Sequence, residues 1–520
     1  IKSFMITKDE IKAGAMALML VTSFTSCADW LSVDMEDSIM ENKLYETNEG
    51  FLSSLNGVYA KMNENYSSTL TMGAIDVMAQ YYDVSKNSTH TYYAYANYQP
   101  EQFKSTSNAL WTTQYELIAN LNTLLEHCDE AGSALNAVYY PYVKGEALAL
   151  RAFLHFDLMR VYGPIYRENT AETVTIPYAE TSSKEIQPLL SAKTVMEKVI
   201  RDLSAAADLL KDDRIRTEGV LNGASDNPNE NTNLRYRQYR VNYFAVQALL
   251  ARAYLWIGDK EKAYQTAKGL IAESEEKEIF PWTKKAAVTT TLNPDLLFSS
   301  EVIFSLYNTS RTNLFDRMFN RSVNLNSILC FQGETLEEGN AESKLTYYFD
   351  DMGDLRREYM WKVEEVNQSD EEGGTVGSHK VLCLNKYEGV TAAAHRYMIP
   401  LVRMSEIYLI AAECTDDLEE AVGYVNAIRA VRNCVNLTLT ESDTKASIQE
   451  YITNEFMREV IGEGQLFFYY KRHAMPSILA GNGFKKDWSG NAVKSTVAID
   501  MQNYVWPMPE VEMDKRVVSE

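Results

Sequence analysis

A repeated pair of alanine-rich helices separated by a glycine turn constrains the fold of this chain most strongly. Residues 243–257 show helical periodicity, Gly258 provides a turn, and residues 261–273 run back as a second helix. The pattern recurs at residues 403–413 with 418–431, and more loosely over residues 108–162. Small residues let paired helices approach closely, as in tetratricopeptide repeats, and stacked pairs bury a continuous core. We therefore predict a mainly α fold built from tetratricopeptide-like helix pairs.

Further amphipathic helices and long irregular segments surround these pairs. Apolar residues recur every three or four positions over residues 51–62, 110–125, 143–162 and 195–210, and each run predicts a helix. Residues 280–397 lack sustained helical periodicity, although 302–306 predict a short strand and 366–378 an acidic, glycine-containing loop. Because long loops inside a compact domain are usually functional, we expect the functional site in residues 280–397 and in the loop 76–99.

The first residues have the pattern of a secretory signal. Lys2, Lys8 and Lys12 precede an apolar run over residues 13–21, which is too short to span a bilayer. Ser26-Cys27 lies where a small-residue cleavage site belongs, so we predict a lipoprotein signal peptide over residues 1–26 and lipidation of Cys27. An ordinary secreted protein with a chance cysteine near its cleavage site is the alternative.

The charge balance excludes several classes of partner. Lys and Arg total 50 against 72 Asp and Glu, which gives a net charge of -22. Nucleic acid and anionic lipid surfaces need a basic footprint, so we expect no nucleic-acid partner. A polyanionic ligand is also disfavoured unless a local basic pocket overrides the overall sign. The cysteines beyond Cys27 are scattered and odd in number, which favours buried thiols, with a Cys414–Cys434 bridge left open.

Short motifs along almost the whole chain resemble one known family. They are residues 26–31 (SCADWL), 55–59 (LNGVY), 151–156 (RAFLHF), 162–164 (YGP), 301–304 (EVIF), 354–356 (DLR), 400–406 (PLVRMSE), 463–465 (EGQ), 471–472 (KR) and 506–509 (WPMP), with Trp111, Tyr115 and Asn120. In this order they resemble the SusD/RagB family of outer-membrane nutrient-binding lipoproteins. The chain departs from the family pattern at Phe456, Leu466 and Tyr469, where the family has charged residues, and we interpret this as a structural variation.

The resemblance implies an architecture, a location and partners. It implies a right-handed support of tetratricopeptide-like helices with long irregular loops and a few short strands on a ligand face. An N-terminal region over 27–279 and a C-terminal region over 280–520 would form one compact unit. The protein would be lipid-anchored in the outer membrane at the cell surface. There it would deliver an oligosaccharide, or in some branches a peptide, to a TonB-dependent SusC-like barrel without acting as an enzyme.

Tyrosine is unusually frequent, and its clusters in loops are the candidate ligand contacts. The chain has 33 Tyr against 18 Phe. Flat rings stack on the apolar faces of sugars while polar side chains bind the hydroxyls. The candidates in the loop after the first helix are Tyr81, Tyr82, Asn87, Tyr92, Tyr93 and Tyr95, and Trp361 is a candidate from the C-terminal insertion. The alternative is that half or more of the loop tyrosines pack on the helices as core. We expect at least two of them to face the ligand.

No catalytic or metal-binding constellation is evident in the sequence. Paired acids such as Asp350-Asp351 are more typical of a solvated face in so acidic a chain than of a glycosidase. The histidines have no metal-ligand spacing, and His155 on an apolar helix is interpreted as a core residue. The oxygen-rich residues 226–230 lack the glycine and terminal glutamate of the regular calcium loop, which favours a solvated turn. We therefore expect no cofactor and no metal.

Overall fold

The computed structural model describes residues 43–95, 98–225, 227–228, 230–332, 340–370, 372–487, 489 and 492–519. The signal segment and Cys27 lie outside these residues, as do positions 226 and 229 of the oxygen-rich loop. Within the described residues, no helix is both long enough and apolar enough to cross a membrane.

Helices dominate the described part of the chain. Their bounds are α1 Asn48–Tyr66, α2 Ala74–Met78, α3 Glu101–Asp129, α4 Tyr140–Tyr162, α5 Ala192–Leu209, α6 Ile215–Glu218, α7 Tyr243–Ile257, α8 Lys260–Glu276, α9 Lys285–Val288, α10 Arg311–Met318, α11 Asn340–Tyr348, α12 Leu355–Tyr359, α13 Met404–Cys414, α14 Leu418–Val431, α15 Lys445–Glu459, α16 Leu466–His473 and α17 Glu510–Ser519. The predicted mainly α architecture is confirmed, including all three alanine-rich pairs.

Local sequence explains why the pair α7 and α8 forms where it does. Asn242 caps α7 by accepting a hydrogen bond from the Ala245 N–H at 2.9 Å. Gly258 ends the helix with φ +85, a left-handed conformation that favours glycine. Asp259 then caps α8 by accepting from the Lys262 N–H at 3.1 Å. Ala263 and Ala267 of α8 and all four alanines of α7 are buried, and α8 packs in turn against α13, so successive pairs share one core.

Short antiparallel sheets occupy the region without helical periodicity and the C-terminal part. The strands are β1 Val302–Tyr307, β2 Cys330–Phe331, β3 Trp361–Ser369, β4 Thr375–Leu384, β5 Met398–Arg403, β6 Ser477–Lys486 and β7 Ala492–Ala498. β1 pairs with β5, the order β2-β4-β3 forms a three-stranded sheet, and β6 pairs with β7. The predicted strand over 302–306 is confirmed.

The prediction of a loop over residues 366–378 is wrong, because most of this segment belongs to the β3–β4 hairpin. Much of the hairpin is exposed, so its sequence lacks the apolar alternation that marks a half-buried strand. Backbone pairing and a tight turn hold it instead. In that turn Gly373 has φ +84, and the Asp370 carboxylate accepts from the Gly374 N–H at 2.7 Å.

A buried network of ion pairs joins several of the sequence motifs. Glu459 of α15 contacts the guanidinium groups of Arg356, Arg403 and Arg432 at 2.6, 2.8 and 2.7 Å. Arg432 also contacts Glu301 at 2.6 Å. Burial alone would raise the pKa of Glu459, but the three guanidinium groups hold that pKa well below its usual range. We call this set the Glu459 network. Its ion pairs join α12, β5, the end of α14 and α15.

An aromatic contact occupies two of the positions at which the chain departs from the family pattern. Phe456 and Tyr469 stack with ring centroids 4.5 Å apart and an interplanar angle of 23°. The Tyr469 hydroxyl is also within 2.9 Å of Gln449 Nε2, which donates to it. A stacked pair therefore stands where the family has charged side chains, which supports the interpretation of a structural variation.

The Gly462–Gly464 turn ties the C-terminal helices to the N-terminal part of the chain. The Asp76 carboxylate accepts from the backbone N–H groups of Gly462 and Gly464 at 2.7 and 2.9 Å. Gly464 has φ +68, and a Cβ there would lie 2.0 Å from the Leu70 carbonyl oxygen. Only glycine therefore permits this close approach.

Candidate functional site

Tyr81 and Tyr82 are core residues, so their predicted contact with a ligand is wrong for this structure. Both side chains are 0% exposed. The Tyr81 hydroxyl donates to the Met457 carbonyl at 2.6 Å, and the Tyr82 ring packs 5.8 Å from that of Phe319. Their partners come from α15 and the segment after α10, so these rings join distant parts of the chain rather than a solvent-facing site.

Asn87 and Trp361 also have structural positions. Asn87 is buried, donates through Nδ2 to the Ile328 carbonyl at 3.0 Å, and accepts from the His90 N–H at 2.7 Å. Trp361 is 6% exposed and lies with its ring centroid 4.0 Å from that of Phe331. Neither offers an open face to a ligand, because each is covered by the three-stranded sheet or by the segment leading into it. These two predicted contacts are therefore corrected as well.

The remaining predicted tyrosines are neighbours in sequence and are partly exposed, with their rings packed against the core. Tyr92, Tyr93 and Tyr95 are half-buried, and so is Tyr98, which the sequence analysis did not single out. We call these four residues the tyrosine surface. The hydroxyls of Tyr95 and Tyr98 donate to the carbonyls of Asp500 and Asn503, and Tyr93 shares a 2.8 Å hydrogen bond with Thr106.

These hydrogen bonds fix the orientation of three of the four rings. Burial raises the pKa of Tyr95 to about 12, so its hydroxyl stays protonated over the physiological range. Tyr92 differs, because no hydrogen bond joins its side chain to the described part of the chain. The arrangement therefore combines three held rings with one that is able to adjust to a ligand.

A buried lysine holds the base of this loop. Lys344 Nζ donates to the carbonyls of Gln80, Tyr81 and Gly481 at 3.2, 2.6 and 2.5 Å. Burial lowers the pKa of Lys344 to about 7. The loop is thus fastened to α11 and β6, which come more than 260 residues later in the chain.

Several other residues singled out in the sequence have structural roles, as predicted. His155 is fully buried, accepts through Nε2 from the Ala179 N–H at 3.0 Å, and stacks on Tyr178. Burial lowers the pKa of His155 to about 3. Cys128, Cys330, Cys383, Cys414 and Cys434 all carry free thiols, so the bridge left open between Cys414 and Cys434 is not formed. Among the described residues, no cluster of His, Cys, Asp and Glu could hold a metal ion.

A groove of about 410 Å³ lies between α3, the segment 177–187 and α17. Trp111 and Tyr115 line it, but Trp111 is buried and the Tyr115 hydroxyl donates to the Pro177 carbonyl at 2.8 Å. Trp111 therefore packs in the core, and little of its ring faces the groove.

Comparison with known families gives matches over two long stretches. A family model described as starch-binding and associating with the outer membrane matches residues 29–220, and the SusD family model matches residues 251–517. The SusD-like protein P38 of Formosa agariphila is 24% identical over 261 residues, which are 50% of this chain and 45% of that protein. The chain thus spans less than half the length of this curated relative.

Solved structures with the same fold come from species of Bacteroides. A SusD-like carbohydrate-binding protein of Bacteroides vulgatus matches with a TM-score of 0.63 and 19% identity, covering 90% of this chain and 96% of the other. A SusD superfamily protein of Bacteroides thetaiotaomicron matches with a TM-score of 0.61 and 21% identity, covering 90% and 98%. At these identities the likeness concerns the fold.

Proposed function

The chain belongs to the SusD family, and from this premise we propose that it binds an oligosaccharide at the tyrosine surface and delivers it to a TonB-dependent transporter in the outer membrane. The observation that carries the proposal is the group of four half-buried tyrosines, three of them oriented by hydrogen bonds. The starch-binding description of the N-terminal family model supports a glycan as the ligand. A peptide is the other ligand class that the family resemblance leaves open.

The tyrosine surface suits sugar capture for a physical reason. The apolar C–H face of a sugar ring stacks on an aromatic face, and an open, half-wet surface leaves the sugar hydroxyls in contact with water. Rings held in place lose little conformational entropy when the ligand binds. Binding at such a solvent-open surface is modest in affinity, which suits a protein that must release its ligand into a transporter.

Calorimetric titration of the purified protein tests the ligand and the surface together. The titrants are maltoheptaose, a panel of other oligosaccharides, and a mixture of short peptides. Tyr92→Ala is expected to weaken binding of the active oligosaccharide roughly 2- to 12-fold, from a loss of about 0.5–1.5 kcal/mol for one stacking contact. Tyr424→Ala is the matched control, because Tyr424 is a half-buried tyrosine on α14 of the helical support.

The outcomes separate the alternatives. Weaker binding by Tyr92→Ala, with normal binding by Tyr424→Ala, supports the tyrosine surface. Equal binding by both variants and the unmodified protein would remove that surface from the proposal. Binding of peptides without any oligosaccharide would contradict the glycan proposal and move the protein to the peptide-binding branch.

Anchoring and delivery form the second part of the proposal. The lysines before the apolar run and Ser26-Cys27 support lipidation of Cys27 in the outer membrane. Cys27→Ala is expected to move the protein from the membrane fraction to the soluble fraction, and unchanged fractionation would contradict the anchor. Co-purification with a TonB-dependent barrel from detergent-solubilised outer membranes tests delivery, and recovery of the protein without any barrel would argue against it.

A further inference from the structure

A polar pocket of about 350 Å³ lies in the strand-and-loop region, apart from the tyrosine surface. It is formed by four parts of the chain that are separate in sequence: residues 291–297, Arg311 at the start of α10, Lys362 of β3, and residues 385–395. It shares no lining residue with the tyrosine surface. Its volume lies at the lower end of the range for small-molecule sites and is enough for one sugar ring. We call it the Arg311 pocket.

Arg311 is unlike the other buried arginines of the described chain. Its side chain is 1% exposed, and Nη1 donates to the carbonyls of His395 and Met398 at 2.9 and 3.4 Å. No carboxylate of the described residues pairs with it. Every other buried arginine has such a partner: Arg151, Arg160, Arg237, Arg252, Arg356, Arg403, Arg429, Arg432 and Arg458. A buried cation without a counter-charge is costly, so an anion is the missing partner.

Buried nitrogen atoms without hydrogen-bond partners also indicate that the pocket binds a ligand. Arg311 Nε, Asn385 Nδ2 and His395 Nε2 are buried and have no hydrogen-bond partner within the described residues. All three side chains line the same pocket and are buried. A buried polar group without a partner costs about 1–3 kcal/mol, and native proteins rarely leave such groups unsatisfied. Three of them around one pocket indicate a ligand that supplies the partners.

The lysines near the pocket have ion pairs, and the Asp295 carboxylate acts on Arg311 electrostatically without an ion pair to it. Lys362 at the rim pairs with Glu388 at 2.7 Å, and Lys386 pairs with Glu463 at 2.5 Å. The carboxylate of Asp295 lies 3.9 Å from His395 Nδ1 but accepts two hydrogen bonds from Ser299. Burial lowers the pKa of His395, so the ring is neutral near pH 7 and adds no charge of its own. Arg311 is therefore the cation lining this pocket that has no ion pair within the described residues.

We propose that the Arg311 pocket binds the carboxylate of a hydroxy acid, with a uronic acid residue of a glycan as the favoured source. The carboxylate would accept one hydrogen bond from Arg311 Nε and one from the Asn385 amide, and the bond from the charged guanidinium is the stronger of the two. His395 Nε2 would share a hydrogen bond with a neighbouring ligand hydroxyl. The pocket is thus a local basic site in a chain whose net charge is -22, and it admits an acidic group that the chain as a whole repels.

Titration and thermal-shift measurements with small carboxylates test this directly. The probes are D-galacturonate and D-glucuronate, the neutral sugars D-galactose and D-glucose, and the dipeptide glycylglycine, all at constant ionic strength. The uronates are expected to stabilise the unmodified protein and the neutral sugars are not. Arg311→Gln is expected to weaken uronate binding roughly 30-fold or more, because a buried charge pair loses one partner. Arg317→Gln on the same helix, where the side chain is exposed, is the matched control and should bind normally.

Each outcome decides the proposal. Binding of uronates, lost in Arg311→Gln and kept in Arg317→Gln, supports it with a glycan as the source. Binding of glycylglycine with the same dependence on Arg311 supports the carboxylate and identifies a peptide as the source. Equal responses of the unmodified protein to uronates and neutral sugars overturn the proposal, whether or not any variant folds. So does normal uronate binding by Arg311→Gln.

The two proposed sites fail independently. Arg311→Gln is expected to keep the binding of a neutral oligosaccharide by the tyrosine surface, and Tyr92→Ala is expected to keep the binding of monomeric uronate. Loss of only one response therefore identifies which site is wrong.

Discussion

The Glu459 network and the Arg311 pocket bury arginine in opposite ways. In the network Arg432 is fully buried and contacts the carboxylates of Glu301 and Glu459 at 2.6 and 2.7 Å. In the pocket Arg311 is equally buried but contacts only carbonyl oxygens. Each arginine of the network contacts a carboxylate, whereas Arg311 contacts none within the described residues. The same residue type thus supports the fold in one place and is available for binding in the other.

Substituting each arginine is the strongest test of this difference between the network and the pocket. Arg432→Met leaves the buried carboxylate of Glu301 without its ion pair and removes one of the three cations that contact Glu459, so it is expected to lower the free energy of unfolding by about 3–5 kcal/mol. Arg311→Met removes an uncompensated charge, so its stability should stay within about 1 kcal/mol of the unmodified protein or rise. Denaturant unfolding of both variants measures this. A large loss in Arg311→Met would mean that Arg311 is a structural residue like Arg432.

Acid is expected to lower the free energy of unfolding through His155, a buried titratable residue of the helical support. Its pKa is about 3 in the folded protein, against about 6.5 when unfolded. Below pH 6.5 the unfolded chain binds a proton that the folded one excludes, so stability falls as the pH falls. The expected loss is about 2 kcal/mol at about pH 5.

Unfolding measured between pH 8 and pH 4 checks the His155 prediction, with His155→Gln as its control. Glutamine can still accept from the Ala179 N–H but does not titrate, so this part of the pH dependence should disappear. An unchanged pH profile in His155→Gln would assign the acid sensitivity to other groups.

The smallest expected effect separates the ring of Tyr95 from its hydroxyl. Tyr95→Phe loses one hydrogen bond to the Asp500 carbonyl and should cost about 0.5–1.5 kcal/mol of stability. Oligosaccharide binding should be almost unchanged, because the stacking face remains. Titration of Tyr95→Phe beside Tyr95→Ala tests this, and equal loss of binding in both variants would show that the hydroxyl, not the ring, contacts the sugar.

The sequence predicts the helical pairs well because their signals are local. Alanine spacing, the Asn242 cap and the Gly258 turn all act within a few residues. The β3–β4 hairpin was missed because a mostly exposed strand pair has no apolar alternation to reveal it. Helix-forming contacts between residues near in sequence can therefore be predicted from the sequence, whereas pairing between two mostly polar strands cannot.

The site was predicted only in part, because burial of a loop residue depends on partners far away in sequence. Tyr81 and Tyr92 look alike in the chain, yet Tyr81 is buried against the α15 backbone and Tyr92 stays near the surface. The lining of the Arg311 pocket had no signal at all, since Arg311, Asn385 and His395 carry no shared motif. Only the fold brings them together.

The hydrogen bonds from Gly462 and Gly464 to Asp76 have a consequence for how the protein is made. The two ends of this contact are separated by 386 and 388 residues. During synthesis the N-terminal segment emerges long before its partners, so the contact forms only after Gly464 has been added to the chain. The loop that follows Asp76 is therefore without this contact until then. The tyrosine surface is then among the last features to assemble, and a truncated chain would fold its early helices without it.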